Sequence, residues 1–302
     1  VTVTRTHWWG GLLAALAAMT VHAQQALDVP YVPTPVHVVD AMLDLGKVGS
    51  DDYLIDLGSG DGRIPLRAAE RFGIRAVGVD LDPALVGTAR EAARQQGVAD
   101  KVRFEVKDVF DTDVSSATIV TTYLLNAVNI RLRPALLRQL RPGTRIVSHD
   151  FGFGDWQPDR QIRVDVPVKA YGLPYSDVML WVVPANAAGR WTWTGTVAGL
   201  PVAYEAHLMQ RFQIVSGEVR QGGRRWPVTE GRVDGQTLRL VLLDNSGGQV
   251  QRKVLTGLVS GNQLTGSIRT GEQSLPLAAR RTVADAIDIG APAAVANDHV
   301  LH

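Results

Sequence analysis

The chain has 302 residues, 45% of them hydrophobic and 20% charged, with a formal net charge of +1. That length suits two domains of roughly 100–200 residues, and the near-neutral charge gives no pointer to nucleic acid or an anionic membrane. Cysteine is absent, which excludes disulfides, thiolate zinc sites and a cysteine nucleophile; the histidines form no H-x-x-x-H pair, so metal catalysis has no support.

Arg5 and His7 precede an apolar run from Trp8 to Val21, which ends Val21-His22-Ala23. A charged lead, an apolar stretch too short to span a bilayer and a small-residue end predict a signal peptide over residues 1–23. Export to the periplasm, or anchoring by this segment, is the expectation; a cytoplasmic chain follows if the true start lies elsewhere. Next comes Pro30-Tyr31-Val32-Pro33-Thr34-Pro35, a stiff extended lead. Val36, Val39, Met42, Leu43 and Leu45 then recur at helical spacing, with Thr34 as the expected cap and Pro35 in the first turn.

Tyr53 to Leu57 reads as a buried strand running into a glycine cluster. A helix is expected over Arg63–Phe72, a strand over Ala76–Val79, and a helix over Pro83–Gln96 closed by Gly97. Further strands are expected at Val102–Val106, Thr118–Thr122 and Arg145–Ser148, with Ala135–Leu140 lying in a helix before Pro142-Gly143. Strands alternating with helices predict βαβ units, a parallel sheet and a Rossmann-like, doubly wound α/β fold. Ligands in such folds bind beyond the carboxyl ends of the strands.

Near Pro184 the pattern changes. Short strand-like runs follow at Trp191–Val197, Val202–Val215, Gln236–Leu243, Gln251–Val259 and Gln263–Ile268, separated by Gly222-Gly223, Asp234-Gly235, Asn245–Gly248 and Gly261-Asn262. Such turns between apolar runs predict hairpins, and hence a small antiparallel barrel or sandwich over residues 189–283. A ligand cavity and a docking surface are both open as its role. Residues 284–302 read as a disordered tail. The composition change predicts that residues 24–184 fold and bind ligand without the β domain.

The chemistry gathers in Asp56-Leu57-Gly58-Ser59-Gly60-Asp61-Gly62-Arg63, which ends one strand and opens a helix. Glycines let the backbone turn tightly and approach a ligand, and the helix N-terminus offers free N–H groups. A dinucleotide fingerprint would need G-x-G-x-x-G; here Gly62 comes one position early. Asp56 and Asp61 would repel a pyrophosphate and attract an ammonium and a sulfonium, which favours S-adenosylmethionine (SAM) over NAD. Asp80 ends the second strand, where a carboxylate can accept both ribose hydroxyls, and Asp108 follows the third, where an adenine amino group could be bound. One such acid is ordinarily a cap or turn former; three at successive strand ends of one sheet form a pattern.

Asp56-x-Gly58-x-Gly60, Asp80 and Asp108 resemble the SAM-binding motifs of class I methyltransferases. The longer string Asp56–Ile64, with Tyr31–Pro35 upstream and Trp156-Gln157-Pro158-Asp159 downstream, is similar to the lysine methyltransferases of the ATP synthase c-subunit and their bacterial relatives. That resemblance spans about residues 28 to 160. It implies a SAM site formed by Tyr31, Pro33, Thr34, Asp56, Gly58, Ser59, Gly60, Gly62, Arg63, Asp80, Leu81, Asp108 and Val109, with Tyr31 to Thr34 closing over it.

After the fourth strand the chain reads Thr121-Thr122-Tyr123-Leu124-Leu125-Asn126, without the Asn/Asp-Pro-Pro-aromatic motif of enzymes that methylate DNA bases. The resemblance therefore implies a protein lysine as acceptor and no nucleic-acid partner, with Tyr123 and Asn126 where the acceptor meets the methyl group. A membrane-associated substrate stays open, and oligomeric state is not assigned. Phe151, Phe153 and Trp156 are candidates to line an acceptor channel, and Asp150 is a candidate proton acceptor. Methylation of a small molecule or envelope component, and a non-catalytic exported binding protein, are the alternatives.

Overall fold

A computed structural model describes residues 31–169, 172–197, 199–245 and 249–290. The signal segment of residues 1–23 lies outside the described residues. Among the described residues no helix is long and apolar enough to cross a membrane.

The first half is a seven-stranded sheet. Its strands are β1 (Tyr53–Leu57), β2 (Arg75–Asp80), β3 (Val102–Val106), β4 (Ile119–Thr122), β5 (Arg145–His149), β6 (Arg160–Asp165) and β7 (Tyr175–Val182), in the order β3-β2-β1-β4-β5-β7-β6. The chain reverses direction across the sheet at β1, so β1 and β4 part at their carboxyl ends and leave a crevice there. β1 to β5 are parallel, as the alternation of strands and helices predicts. The sheet as a whole is mixed, however, because β7 runs antiparallel to both β5 and β6. The sequence pattern also misses β6, whose RQIRVD is almost wholly exposed and so carries no apolar signal.

Helices α1 (Val36–Leu45), α2 (Arg63–Phe72) and α3 (Pro83–Gln95) cover one face, where Val39, Met42, Leu66 and Val86 meet Leu54, Phe104 and Val147. Thr34 does not cap α1: no side chain caps that helix, and the Thr34 hydroxyl is engaged elsewhere. Helix α4 (Asn126–Gln139) covers the other face and begins well before the expected Ala135, carrying Pro134 inside it. The segment after β5 adds Phe153 and Trp156 to this second core, 0% and 1% exposed. They are packing residues and do not line an acceptor channel.

The second half is a closed barrel. Strands β8 (Gly189–Val197), β9 (Leu200–Arg211), β10 (Ile214–Gln221), β11 (Arg224–Asp234), β12 (Thr237–Asp244), β13 (Gln251–Ser260), β14 (Gln263–Thr270) and β15 (Gln273–Ala284) pair antiparallel with their sequence neighbours, and β15 returns to β8. Alternate residues point inward, so Trp191, Leu208, Val219, Leu240 and Leu255 fill the interior, as expected for a small barrel. The run Val202–Val215 proves to be two strands joined at Phe212-Gln213. Residues 285–290 are not a disordered tail: Asp288 N–H donates to the Gln210 carbonyl, and Phe212 N–H donates to the Asp288 carbonyl. Ile289 packs against the second core of the sheet domain. The remainder of the expected tail, from residue 291, lies outside the described residues.

The two halves share a core. Phe212, at the β9–β10 turn, is 3% exposed and sits in the cluster of Phe153, Trp156 and Trp181. Gln213 accepts from the Trp156 indole N–H at 2.9 Å, and Arg232 of β11 pairs with Asp159.

Candidate active site

A cleft opens at the carboxyl ends of β1, β2, β3 and β4. Its floor is the turn from Gly58 to Gly62. The N–H groups of Gly58 and Ser59 both donate to the Val79 carbonyl at 2.9 Å, which ties the end of β1 to β2. Gly60 has φ +53°, and a Cβ there would stand 2.6 Å from the Tyr31 ring, so glycine lets the Tyr31 segment lie against the turn. Gly62 has φ +82° and opens α2; a Cβ there would strike Phe104 at 2.5 Å. Gly62 does not line the cleft. Its role is helix–sheet packing.

Four carboxylates line this space. Asp56 is 1% exposed because β1 is a central strand, and its Oδ1 accepts from the Thr121 hydroxyl at 2.6 Å. Burial pushes its pKa up to about 7, held back by the Thr121 hydrogen bond and raised further by the charges of Asp80 and Asp61. Asp80 accepts from Gly60 N–H at 2.8 Å through Oδ2 and from Asp82 N–H at 3.0 Å through Oδ1. Asp61 chelates Arg63 through both oxygens. Asp108 both lines the cleft and caps a short 3-10 turn, accepting from Phe110 N–H at 2.8 Å.

The segment Tyr31–Thr34 forms one wall. Arg63 fastens it, donating to the Thr34 carbonyl at 2.7 Å and reaching the Tyr31 hydroxyl at 3.5 Å. The Thr34 hydroxyl is 3.1 Å from His149 Nδ1, and His149 Nε2 is 2.7 Å from the Ser176 hydroxyl. Burial lowers the His149 pKa to about 4, so the ring is neutral near pH 7. Tyr123 lines the cleft and stacks on that ring, centroids 3.9 Å apart, and also on Phe151 at 5.9 Å. Burial, together with the neighbouring Asp150 charge, pushes the Tyr123 phenol up to about 12, so it stays protonated.

Of the residues singled out from sequence, Tyr31, Pro33, Thr34, Asp56, Gly58, Ser59, Gly60, Arg63, Asp80, Leu81, Asp108, Val109 and Tyr123 line this one cleft. Asn126 does not. It is exposed at the start of α4, and its Oδ1 accepts from Gly152 N–H at 2.8 Å, which fixes the segment after β5. Sequence reasoning missed Ile64, Leu85, Phe110, Leu124 and Val128, the apolar lining of the cleft. It also missed His149 and Ser176; their signal would have been a histidine at the carboxyl end of an otherwise apolar strand.

The lining fits SAM. Four carboxylates, of which only Asp61 is paired with an arginine among the described residues, suit a ligand with two cationic centres, and Leu85, Val109 and Phe110 offer apolar surface to a flat ring. Ser59 Oγ is buried beside the cleft with no hydrogen-bond partner, a polar atom left available to a ligand. Among the described residues no group of His, Asp or Glu is placed to hold a metal ion.

A seven-stranded 3-2-1-4-5-7-6 sheet with this acidic, glycine-floored cleft defines a class I SAM-dependent methyltransferase. Residues 56–160 match the family described as the ANTKMT methyltransferase domain. A protein-lysine N-methyltransferase of Saccharolobus islandicus is 44% identical over 138 residues, covering 45% of this chain and 86% of the relative. The chain belongs to the family of that methyltransferase. A mouse adenine nucleotide translocase lysine N-methyltransferase is 38% identical over 133 residues, covering 44% of this chain and 57% of the relative. Among solved structures, an RNA methyltransferase from Salinibacter ruber in complex with S-adenosyl-L-homocysteine is 51% identical and covers 51% of this chain and 94% of its own, with a TM-score of 0.47.

Proposed function

We propose that this chain transfers the methyl group of SAM to the side-chain amine of a lysine on a protein. The observation that supports the reading is Tyr123 in the cleft wall, whose ring stacks on neutral His149 and on Phe151. The names of the relatives, lysine N-methyltransferases, support it.

SAM supplies a methyl group already activated by its sulfonium. What remains for the protein is alignment and protonation state. Holding the amine about 3–3.5 Å from the methyl carbon, in line with the breaking bond, can remove several kcal/mol of barrier. A lysine amine has an unperturbed pKa of about 10.4 and must lose its proton before it can attack. The Tyr123–His149–Phe151 stack favours the neutral amine by withholding water, and because His149 is neutral it adds no opposing charge. Thr34 holds His149 through Nδ1 and Ser176 through Nε2, so the wall under Tyr123 is fixed from both sides.

The residue pattern from Arg5 to Ala23 adds the proposal that the chain is exported or anchored, so that its acceptor is a protein met before export or at the membrane face. Purified chain incubated with labelled SAM and a lysate of membrane and soluble fractions tests the reading. The expected result is label in a protein band, with one to three methyl groups on a lysine by mass spectrometry. Label confined to a small molecule, a lipid or a nucleic acid overturns it.

A further inference from the structure

A lysine lies just behind the Tyr123–His149 wall of the cleft. Lys169, between β6 and β7, donates from Nζ to Asp150 Oδ2 at 2.6 Å and to the Tyr175 carbonyl at 2.7 Å. Both side chains are largely shielded, at 16% and 17% exposure. The ammonium of Lys169 therefore sits in a receptor made of one carboxylate oxygen and one carbonyl.

That receptor is rigid. Asp150 follows β5 with φ +58°, a left-handed conformation that only glycine, asparagine and aspartate adopt readily. Its N–H donates to the Asp177 carbonyl at 2.7 Å, and its Oδ1 accepts from Asp177 N–H at 3.0 Å. One carboxylate oxygen is thus committed to the backbone of β7, and the other faces the cation. The same Oδ2 lies 3.3 Å from Nε2 of His149, the ring on which Tyr123 stacks. The receptor borders the wall of the methyl-donor cleft.

We propose that Asp150 Oδ2 and the Tyr175 carbonyl are the docking point for the acceptor's ammonium, and that Lys169 is an internal stand-in which competes for it. The proposal rests on the lysine reading above. An incoming lysine carries the same three-donor point charge on the same flexible stem. It can take the place of Lys169 if that side chain rotates away. Once the ammonium has passed its proton to bulk water, the amine no longer gains from the carboxylate, and the apolar wall of Tyr123 and Phe151 becomes the better environment. Asp150 in this scheme is a positioning residue that selects a cationic acceptor.

Poly-L-lysine with labelled SAM is the probe, and the readout is KM against kcat. Lys169→Met keeps the apolar stem and removes the competitor, so KM for poly-L-lysine falls by about three- to tenfold, with a smaller change in kcat. Lys169→Arg restores the charge and returns KM towards the wild-type value. Asp150→Asn suits the left-handed backbone and removes the docking charge, so KM rises with Lys169 or Met at position 169. A KM that is unchanged or raised in Lys169→Met, or indifferent to Asp150→Asn, overturns the docking point while leaving the lysine reading intact. If poly-L-lysine takes no label from any variant and a different chemical class does, the lysine reading falls and the docking point falls with it.

Discussion

The rings of Trp156 and Phe212 stack with centroids 5.7 Å apart and planes 13° from parallel, one contributed by the sheet domain and the other by the barrel. Phe212 holds φ +50°, an unusual backbone for an aromatic residue, and is sustained there by its N–H donating to the Asp288 carbonyl, by the Gln210 side-chain amide donating to its carbonyl, and by its burial. The composition change near Pro184 suggests separable halves; the packing argues against it. A fragment ending there would strip Phe212 and Gln213 from Trp156.

Phe212→Ala is therefore expected to cost about 3–5 kcal/mol, the range for truncating a buried aromatic. Calorimetry should show one cooperative transition for both halves, lowered as a unit. Two separate transitions, of which only the barrel's moved, would refute the shared core.

SAM affinity should depend on Asp80. Both of its oxygens already hold the glycine turn and the start of α3 in place, so Asp80→Ala removes a ligand acceptor and loosens its support at once. A loss of about 1.5–3 kcal/mol is expected for a charged acceptor. Titration calorimetry decides it. Unchanged affinity, or tighter binding of NAD than of SAM, would remove the assignment.

Asp56 predicts a pH dependence of SAM binding. Its carboxyl rises from 3.8 to about 7 in the folded chain. Between about pH 4 and 7 the folded state carries a proton that the unfolded state lacks, so this group's contribution to stability falls as pH rises through that window and then levels off. His149 acts in the opposite direction: lowered from 6.5 to about 4, it adds stability as pH rises from 4 to 6.5. The two offset each other in a melt, so ligand affinity is the better readout. A cationic ligand favours the ionised Asp56, and SAM should bind more tightly with rising pH until about 7, releasing a proton. Calorimetry in buffers of different ionisation enthalpy counts that proton, and Asp56→Asn should abolish it. A wild-type affinity flat between about pH 6 and 8 would exclude the coupling.

Tyr123→Ala should lower turnover more than it weakens SAM binding if, as proposed, its ring, stacked on His149 in the cleft wall, serves the acceptor. Tyr123→Phe keeps the stack on His149 and should retain most of the turnover. Equal losses in kcat and in SAM affinity would move Tyr123 to the donor's side.

Legibility in the sequence followed periodicity and punctuation. The helix Arg63–Phe72 and the strands Tyr53–Leu57 and Val102–Val106 are readable to the residue, since glycine clusters or apolar limits bound them. The β9–β10 turn was not, because Phe212-Gln213 has neither glycine nor proline nor asparagine to mark it. Pro276 inside β15 and Pro227 inside β11 concealed two barrel strands. In the site, acids and glycines were legible because their chemistry is local. Leu85, Phe110 and Val128 were not, because an apolar residue beside a ligand looks like any other core residue until the fold brings it there. Gly62 and Asn126 erred the other way: both neighbour the site in sequence and serve packing and loop geometry in space.

The pairing of β15 with β8 has a further consequence for the barrel. A ring of strands has no first strand to peel away, so local fraying cannot expose its amides one hairpin at a time. Hydrogen exchange across β8 to β15 should then be governed by a single opening event. Because β9 also carries the turn that seats Phe212, that event should undock the barrel from the methyltransferase domain.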